Sequence, residues 1–336
     1  MPAGYSSSKF FKELMSRLKS ARDFLHYYLP PEIVDQLDLS TLSISKDSFV
    51  DTQLGEHFSD ILYQINLRDG REAKVYVLID HKSSPDGLVA FQLLRYMVRA
   101  WEYSLKQQKE ERKKEKQEGK RRKRNQKLTL TPILPVVFYH GKKEWKVSKT
   151  LKTLFGNMPP ELTSFVPNYQ YFLCDLTNIS DEQIKGEPFL RVGLMLLKYI
   201  FRQELSDKLL EIYRPLKEVE GQQEVRDFVE TTLYYLPNAA PQVRVEKIEE
   251  AVTDVFSEGG ALMATLVERW IEQGRQEEKR NGLLSTIQMG LDIKFGDEGL
   301  SLFEEIQKIQ EMDVLQAIRD KIKAVSALGE LRRIYQ

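Results

Sequence analysis

Ser59-Asp-Ile-Leu-Tyr-Gln-Ile65, Asn66-Leu-Arg-Asp-Gly-Arg71, and then Ala73-Lys-Val-Tyr-Val-Leu-Ile79 running into Asp80-His81-Lys82 form the stretch on which the fold turns. Two β-rich runs flank a short polar link, and the Asp69-Gly70 pair inside it is a hairpin signal. The period of two puts Asp60 on one face with Leu62 and Gln64, opposite Ile61, Tyr63 and Ile65. On the second strand Asp80 and Lys82 project from the same face while His81 points away. Acidic groups on paired strands, with a lysine beside one of them, are thereby gathered at the end of a sheet.

Upstream, Phe10, Phe11, Leu14, Met15, Leu18, Phe24 and Leu25 recur at helical spacing, so residues 9–29 read as an amphipathic helix stopped by Leu29-Pro30-Pro31. A short helix over Glu32–Asp38 and then a loop are expected next. Downstream, Val89–Tyr103 has helical spacing, and 133–141 and 169–176 read as two further strands. After about residue 180 the pattern is helix upon helix. The prediction is an α/β class chain: a core of mixed central sheet flanked by helices, over residues 1–206, followed by an all-α region over 207–336.

The chain has 336 residues, with 50 basic and 50 acidic side chains, one cysteine and 41% hydrophobic residues. It can bury a real core, and the single Cys174 excludes an internal disulfide framework or a multi-cysteine metal site. No window reaches the roughly 18 unbroken apolar residues that span a bilayer. The first 25 residues carry charges every few positions and lack a signal-peptide core. A cytoplasmic protein with no membrane partner is expected.

The zero net charge is a cancellation. Lys106–Lys127 holds 12 basic and 4 acidic residues, a local charge of +8, and the rest of the chain carries −8. The run can extend the preceding helix for some turns, but Gly119 and Lys120-Arg121-Arg122-Lys123-Arg124 favour a mobile, self-repelling end. A solvated insert is the plain reading. DNA contact through Lys120, Arg121, Arg122, Lys123 and Arg124 is the functional one, because each phosphate neutralised releases counterions.

Asp60, Asp80 and Lys82 suit hard-metal chemistry, since Mg²⁺ binds through one or two carboxylates, waters and substrate phosphate. A surface ion-pair cluster would use the same residue types. Gln92 and Tyr96 lie four apart on the following helix and can steady the lysine or touch DNA. Glu56 and Glu13 are further candidate acids. His140 reads as an ordinary turn histidine, with contact to phosphate near the strand ends as its functional alternative. There is no P-loop, no G-x-G-x-x-G and no histidine placed for a serine or cysteine triad.

Asp60 followed after nineteen residues by Asp80-His81-Lys82 resembles the PD-(D/E)xK nuclease signature, and Gln92-Leu-Leu-Arg-Tyr96 resembles its Q-x-x-x-Y element. Six separated blocks resemble the Rpn family of recombination-promoting nucleases, also described as transposase-like. They are Ala21-Arg-Asp-Phe-Leu25, Tyr28-Leu-Pro-Pro-Glu-Ile33, His57-Phe-Ser-Asp-Ile-Leu-Tyr63, Val77-Leu-Ile-Asp-His-Lys-Ser-Ser-Pro-Asp86, Pro135-Val-Val-Phe-Tyr-His-Gly141 and Ile271-Glu-Gln-Gly-Arg-Gln276. The resemblance implies a restriction-endonuclease-like core and a Mg²⁺- or Mn²⁺-dependent DNA endonuclease linked to recombination or mobile elements. It implies Asp60, Asp80 and the His81 backbone carbonyl as metal ligands, Lys82 as catalytic lysine, and Gln92 and Tyr96 as supporting residues. The competing class is a non-catalytic DNA-binding protein on the same scaffold.

Leu262, Met263, Leu266, Val267, Trp270 and Ile271, then Leu283, Leu284, Ile287, Leu291, Ile293 and Phe295, form an apolar helical stripe. A helical subdomain is the plain reading of it. A homodimer through these helices is the functional reading, and it would bring two sites to two DNA strands.

Overall fold

The computed structural model describes residues 6–45, 61–68, 74–117, 128–219, 223–256 and 259–335. The chain divides into two compact units, one over Gly4–Gly260 and one formed chiefly by Ala261–Gln336.

The first unit opens with helices α1 (Ser7–Ser16), α2 (Leu18–Tyr28) and α3 (Pro31–Val34), then strands β1 (Leu37–Ile44), β2 (Ile61–Leu67) and β3 (Lys74–Lys82). Helix α4 (Val89–Gln117) carries the chain to β4 (Ile133–Tyr139) and β5 (Phe172–Asp175). Helices α5 (Pro188–Tyr199), α6 (Leu205–Tyr213), α7 (Gln223–Ala239) and α8 (Val245–Val255) follow. The sheet order is β1-β2-β3-β4-β5. β1, β2 and β3 pair antiparallel, and β3, β4 and β5 pair parallel. A parallel neighbour needs a long crossover, and α4 supplies it between β3 and β4.

Alternation sorts the sheet into two apolar faces. Leu62, Tyr76, Leu78, Val137 and Tyr139 lie under α4, packed with Val89, Leu93 and Met97. On the other face, Phe11 of α1 stacks on Phe138 at 4.5 Å between ring centroids and Tyr63 donates to the Met15 carbonyl. Each large side chain so buried contributes about 1.5–3 kcal/mol. Helix α5, buried along its whole length, is started by Glu187, whose carboxylate accepts the Phe189 and Leu190 N–H groups and the Ser20 hydroxyl.

Three elements differ from the sequence expectation. The single helix over 9–29 is two helices, because Arg17 adopts an extended backbone (ψ 107°) and lays its guanidinium over the Phe189 ring. The short helix expected over Glu32–Asp38 ends at Val34, and the loop expected after it is strand β1, which starts at Leu37 and is hidden because a bulge between Asp38 and Ser43 breaks its alternation. The hairpin turn residues Asp69 and Gly70 lie outside the described residues.

Helices α6 to α8 belong to the first unit, so the all-helical region expected after residue 206 begins within the unit that holds the sheet. In the second unit, the later part of α9 (Gly259–Ile306), α10 (Met312–Ile322) and α11 (Leu328–Arg332) enclose a core of Leu283, Ile287, Leu291, Leu302, Leu315 and Ile318 among others. Gly296 breaks α9 at φ 56°, a left-handed conformation that favours glycine. The stripe residues Leu283, Ile287 and Leu291 are thus spent in this unit's own core. Among the described residues no helix is long and apolar enough to cross a membrane.

Candidate active site

Strand β3 lies between antiparallel β2 and parallel β4, and at its carboxyl end Asp80 is beside Val137 and Lys82 beside Tyr139. The pleat aims Asp80 and Lys82 at the α4 side. Asp80 is 2% exposed, and its Oδ2 lies 3.3 Å from Lys82 Nζ. After Lys82 the chain turns through Ser83-Ser84-Pro85 to Asp86, whose Oδ1 accepts the Leu88 N–H at 2.9 Å and so fixes the entry into α4.

One turn into α4, Gln92 ties the site together. Its Oε1 accepts from Lys82 Nζ at 2.8 Å and its Nε2 donates to Asp86 Oδ2 at 2.7 Å. Asp86 Oδ2 also lies 3.4 Å from Lys82 Nζ. The ammonium therefore faces Asp80, Asp86 and Gln92 together, and a lysine has three protons to give. Burial pushes the Asp86 carboxyl up, but the Leu88 N–H, the Lys82 ammonium and the Gln92 amide outweigh it and hold the group below the usual carboxylate range.

Asp80 and Asp86 against Lys82 make one formal negative charge at a partly buried position. Together with hard carboxylate oxygens, that fits a divalent cation that keeps several waters, as Mg²⁺ does. Among the described residues no group of three or more His, Cys, Asp or Glu side chains is placed to hold a metal. Asp60 and Glu56 lie outside the described residues, as do Lys120, Arg121, Arg122, Lys123 and Arg124.

Tyr96, one turn beyond Gln92, packs against the apolar cluster beneath α4. Asp86 received no role from the sequence, although it closes the block beginning at Val77. Glu13 hydrogen-bonds to Thr231 of α7, with burial raising its pKa.

His81 points to the opposite face, as the period of two requires. Its Nδ1 lies 3.2 Å from Ser8 Oγ and its ring packs against Phe11 and, at 4.8 Å, His140. Burial, then the neighbouring His140 and Lys82, push its pKa well below the ordinary value. It stays neutral at neutral pH and its ring does not enter the site. His140, expected as a turn histidine, is 1% exposed, bonds the Leu197 carbonyl through Nδ1 and stacks on Phe201. Burial lowers its pKa to about 4. Burial and then Asp175 push the Cys174 thiol up to about 12, so it supplies no thiolate nucleophile.

Residues 7–226 match the family model described as "Putative transposase, YhgA-like". The recombination-promoting nuclease RpnC of Escherichia coli (strain K12) is 29% identical over 196 residues, 58% of this chain and 58% of RpnC. The match thus spans less than two thirds of that relative's length. The recombination-promoting nuclease RpnA of the same strain is 24% identical over 80% of this chain and 84% of RpnA. The inactive recombination-promoting nuclease-like protein RpnE, also of that strain, is 24% identical over 81% of this chain and 84% of its own. No solved structure matches.

Proposed function

Because the chain belongs to the YhgA-like transposase family, whose relatives include recombination-promoting nucleases, we propose that it is a Mg²⁺- or Mn²⁺-dependent DNA endonuclease acting in recombination or mobile-element transfer. The observation that carries this reading is the Lys82 ammonium, 2.8 Å from Gln92 and 3.3 Å from the buried Asp80 at the end of β3. A structural ion pair has no need of a buried carboxylate, a lysine and a bridging amide converging at the carboxyl end of a central strand.

Asp80 is the carboxylate that would hold the cation, with Asp60 and the His81 carbonyl as the further ligands implied by the family signature. When bound, the cation supplies Lewis-acid polarisation of the phosphate and a more acidic water. Lys82 donates to the attacking water or to a non-bridging phosphate oxygen, where negative charge grows as the water oxygen bonds to phosphorus. The phosphorus–oxygen ester bond opposite breaks; the attacking water gives up one proton to solvent, and the departing oxygen takes one from it. Gln92 and Asp86 orient the ammonium, and Tyr96 braces the helix that bears Gln92. No covalent protein–DNA intermediate is needed. The basic segment Lys106–Lys127 adds affinity without reading sequence.

RpnE is named inactive, and that favours a second reading, a DNA-binding protein that has kept the scaffold and lost the reaction. Incubation of supercoiled plasmid with the full chain separates the two. Nicked and linear products in Mg²⁺ that disappear in EDTA support the nuclease. Salt-sensitive binding without cleavage in Mg²⁺ or Mn²⁺ supports the scaffold reading.

A further inference from the structure

Helix α4 serves the site with one side only. Leu93 and Met97 pack into the core beneath it, and Gln92 faces Lys82. The side away from that core is exposed, with Gln92, four residues after Leu88 and three before Arg95, at its border, and its residues follow one another at steps of three or four: Leu88, Phe91, Arg95, Val98, Glu102, Lys106, Lys109 and Lys113, with Arg99 and Glu110 alongside. These positions form one continuous stripe running outward from the β3 end. It carries five cations (Arg95, Arg99, Lys106, Lys109 and Lys113) and two acids, Glu110 and Glu102, the latter 3.7 Å from Arg99 in an exposed ion pair of little strength. Near the site the stripe also exposes large apolar groups, Leu88 at 57% and Phe91 at 49%.

We propose that this stripe is the docking track for the DNA sugar-phosphate backbone, leading the strand along α4 to Lys82 and Asp80. The proposal rests on the nuclease reading for its direction and on the helix alone for its charge. Arg95 to Lys113 spans about 27 Å at 1.5 Å per residue, which matches about eight steps of duplex at 3.4 Å each. Successive cations are spaced along that length at about one or two helical turns. Such a rail holds phosphates and reads no bases. Phe91 and Leu88, at the site end, offer apolar surface to sugars or to an unstacked base where the strand reaches the lysine.

The test is fluorescence anisotropy of the full chain in EDTA, where cleavage does not interfere, with labelled duplex and single-stranded oligonucleotides over a salt series. Arg95→Gln combined with Arg99→Gln should lower the slope of log affinity against log salt by about 2 in whichever arm binds, and weaken binding by about tenfold at moderate salt. A charge-matched control, Lys247→Gln with Lys321→Gln, should leave both unchanged. Equal slopes for the wild type and the Arg95/Arg99 variant would overturn the track, as would displacement of the DNA by an equal concentration of polyglutamate, which would mark a face for acidic polypeptides. A wild type that binds with the expected slope yet cuts nothing in Mg²⁺ overturns the nuclease reading alone. One that cuts, with a slope the variants do not change, overturns the track alone.

Discussion

Lys82 donates hydrogen bonds to Gln92 Oε1 at 2.8 Å and Asp86 Oδ2 at 3.4 Å and forms an ion pair with Asp80. The longer of the two hydrogen bonds, to Asp86, is the one that a phosphate or water oxygen replaces most readily. Asp86 then acts as a positioning residue that holds the ammonium until substrate arrives. Asp86→Ala should leave the fold intact and lower the cleavage rate by roughly 10- to 100-fold with little change in KM, the size of effect that outer positioning groups have. Steady-state kinetics on plasmid check this, and an unchanged rate would remove Asp86 from the mechanism. The period of two made the shared direction of Asp80 and Lys82 legible in the sequence. Asp86 was not legible as a partner, because a turn has no period and only the path through Ser83-Ser84-Pro85 returns it to the lysine.

His140 gives a second prediction at this scale. It is neutral when folded, with its pKa lowered to about 4 by burial, and titrates near 6.5 when unfolded. Acidification from about 6.5 towards 4 therefore protonates the unfolded chain first, and stability present above that window is lost within it, up to roughly 3 kcal/mol. His81, depressed in the same direction, adds to the loss. The carboxyls of Asp86 and Asp181, held low by their partners, lose their contribution only at more acidic pH. Urea unfolding at pH 7 and pH 4.5 should show the fall for the wild type and a smaller one for His140→Phe.

At the scale of elements, the ends of β3 and β4 are locked by backbone contact. The His140 N–H donates to the Lys82 carbonyl at 3.2 Å, and a Cβ placed on Gly141 would lie 2.2 Å from the Ser83 carbonyl oxygen. Backbone cannot yield as a flexible side chain can. Gly141→Ala should cost about 1–3 kcal/mol in urea unfolding and lower activity further by shifting the turn that follows Lys82. Unaltered stability would show that the strand ends can part. The sequence made β2 through β5 and α4 legible because their apolar periods are regular. It hid β1, whose bulge shifts Leu42 and Ile44 out of step with Leu37, and it fused α1 with α2 because the apolar spacing continues across Arg17 while the backbone does not.

For the whole molecule, the charge balance is a difference between regions, and the deciding question is where the cations lie relative to the β3 end. Part of the +8 run is built into α4, and with Arg95 and Arg99 it forms the proposed track. The C-terminal stripe shows the limit of reading a face from spacing. Leu283, Ile287 and Leu291 have the pattern of an interface, but α10 and α11, further along the chain, cover them. Spacing marks which side of a helix is buried and leaves open what buries it.

The measurement that bears most directly on the central claim is the rate of supercoiled plasmid cleavage in Mg²⁺ by the wild type and by Asp80→Ala and Lys82→Ala, with DNA affinity measured in parallel. Expected are cleavage by the wild type, its abolition by EDTA, and a loss of at least about 100-fold in either variant while DNA binding persists. Cleavage that continues unchanged in EDTA or in either variant, or a wild type that binds DNA and never cuts it, would contradict the account.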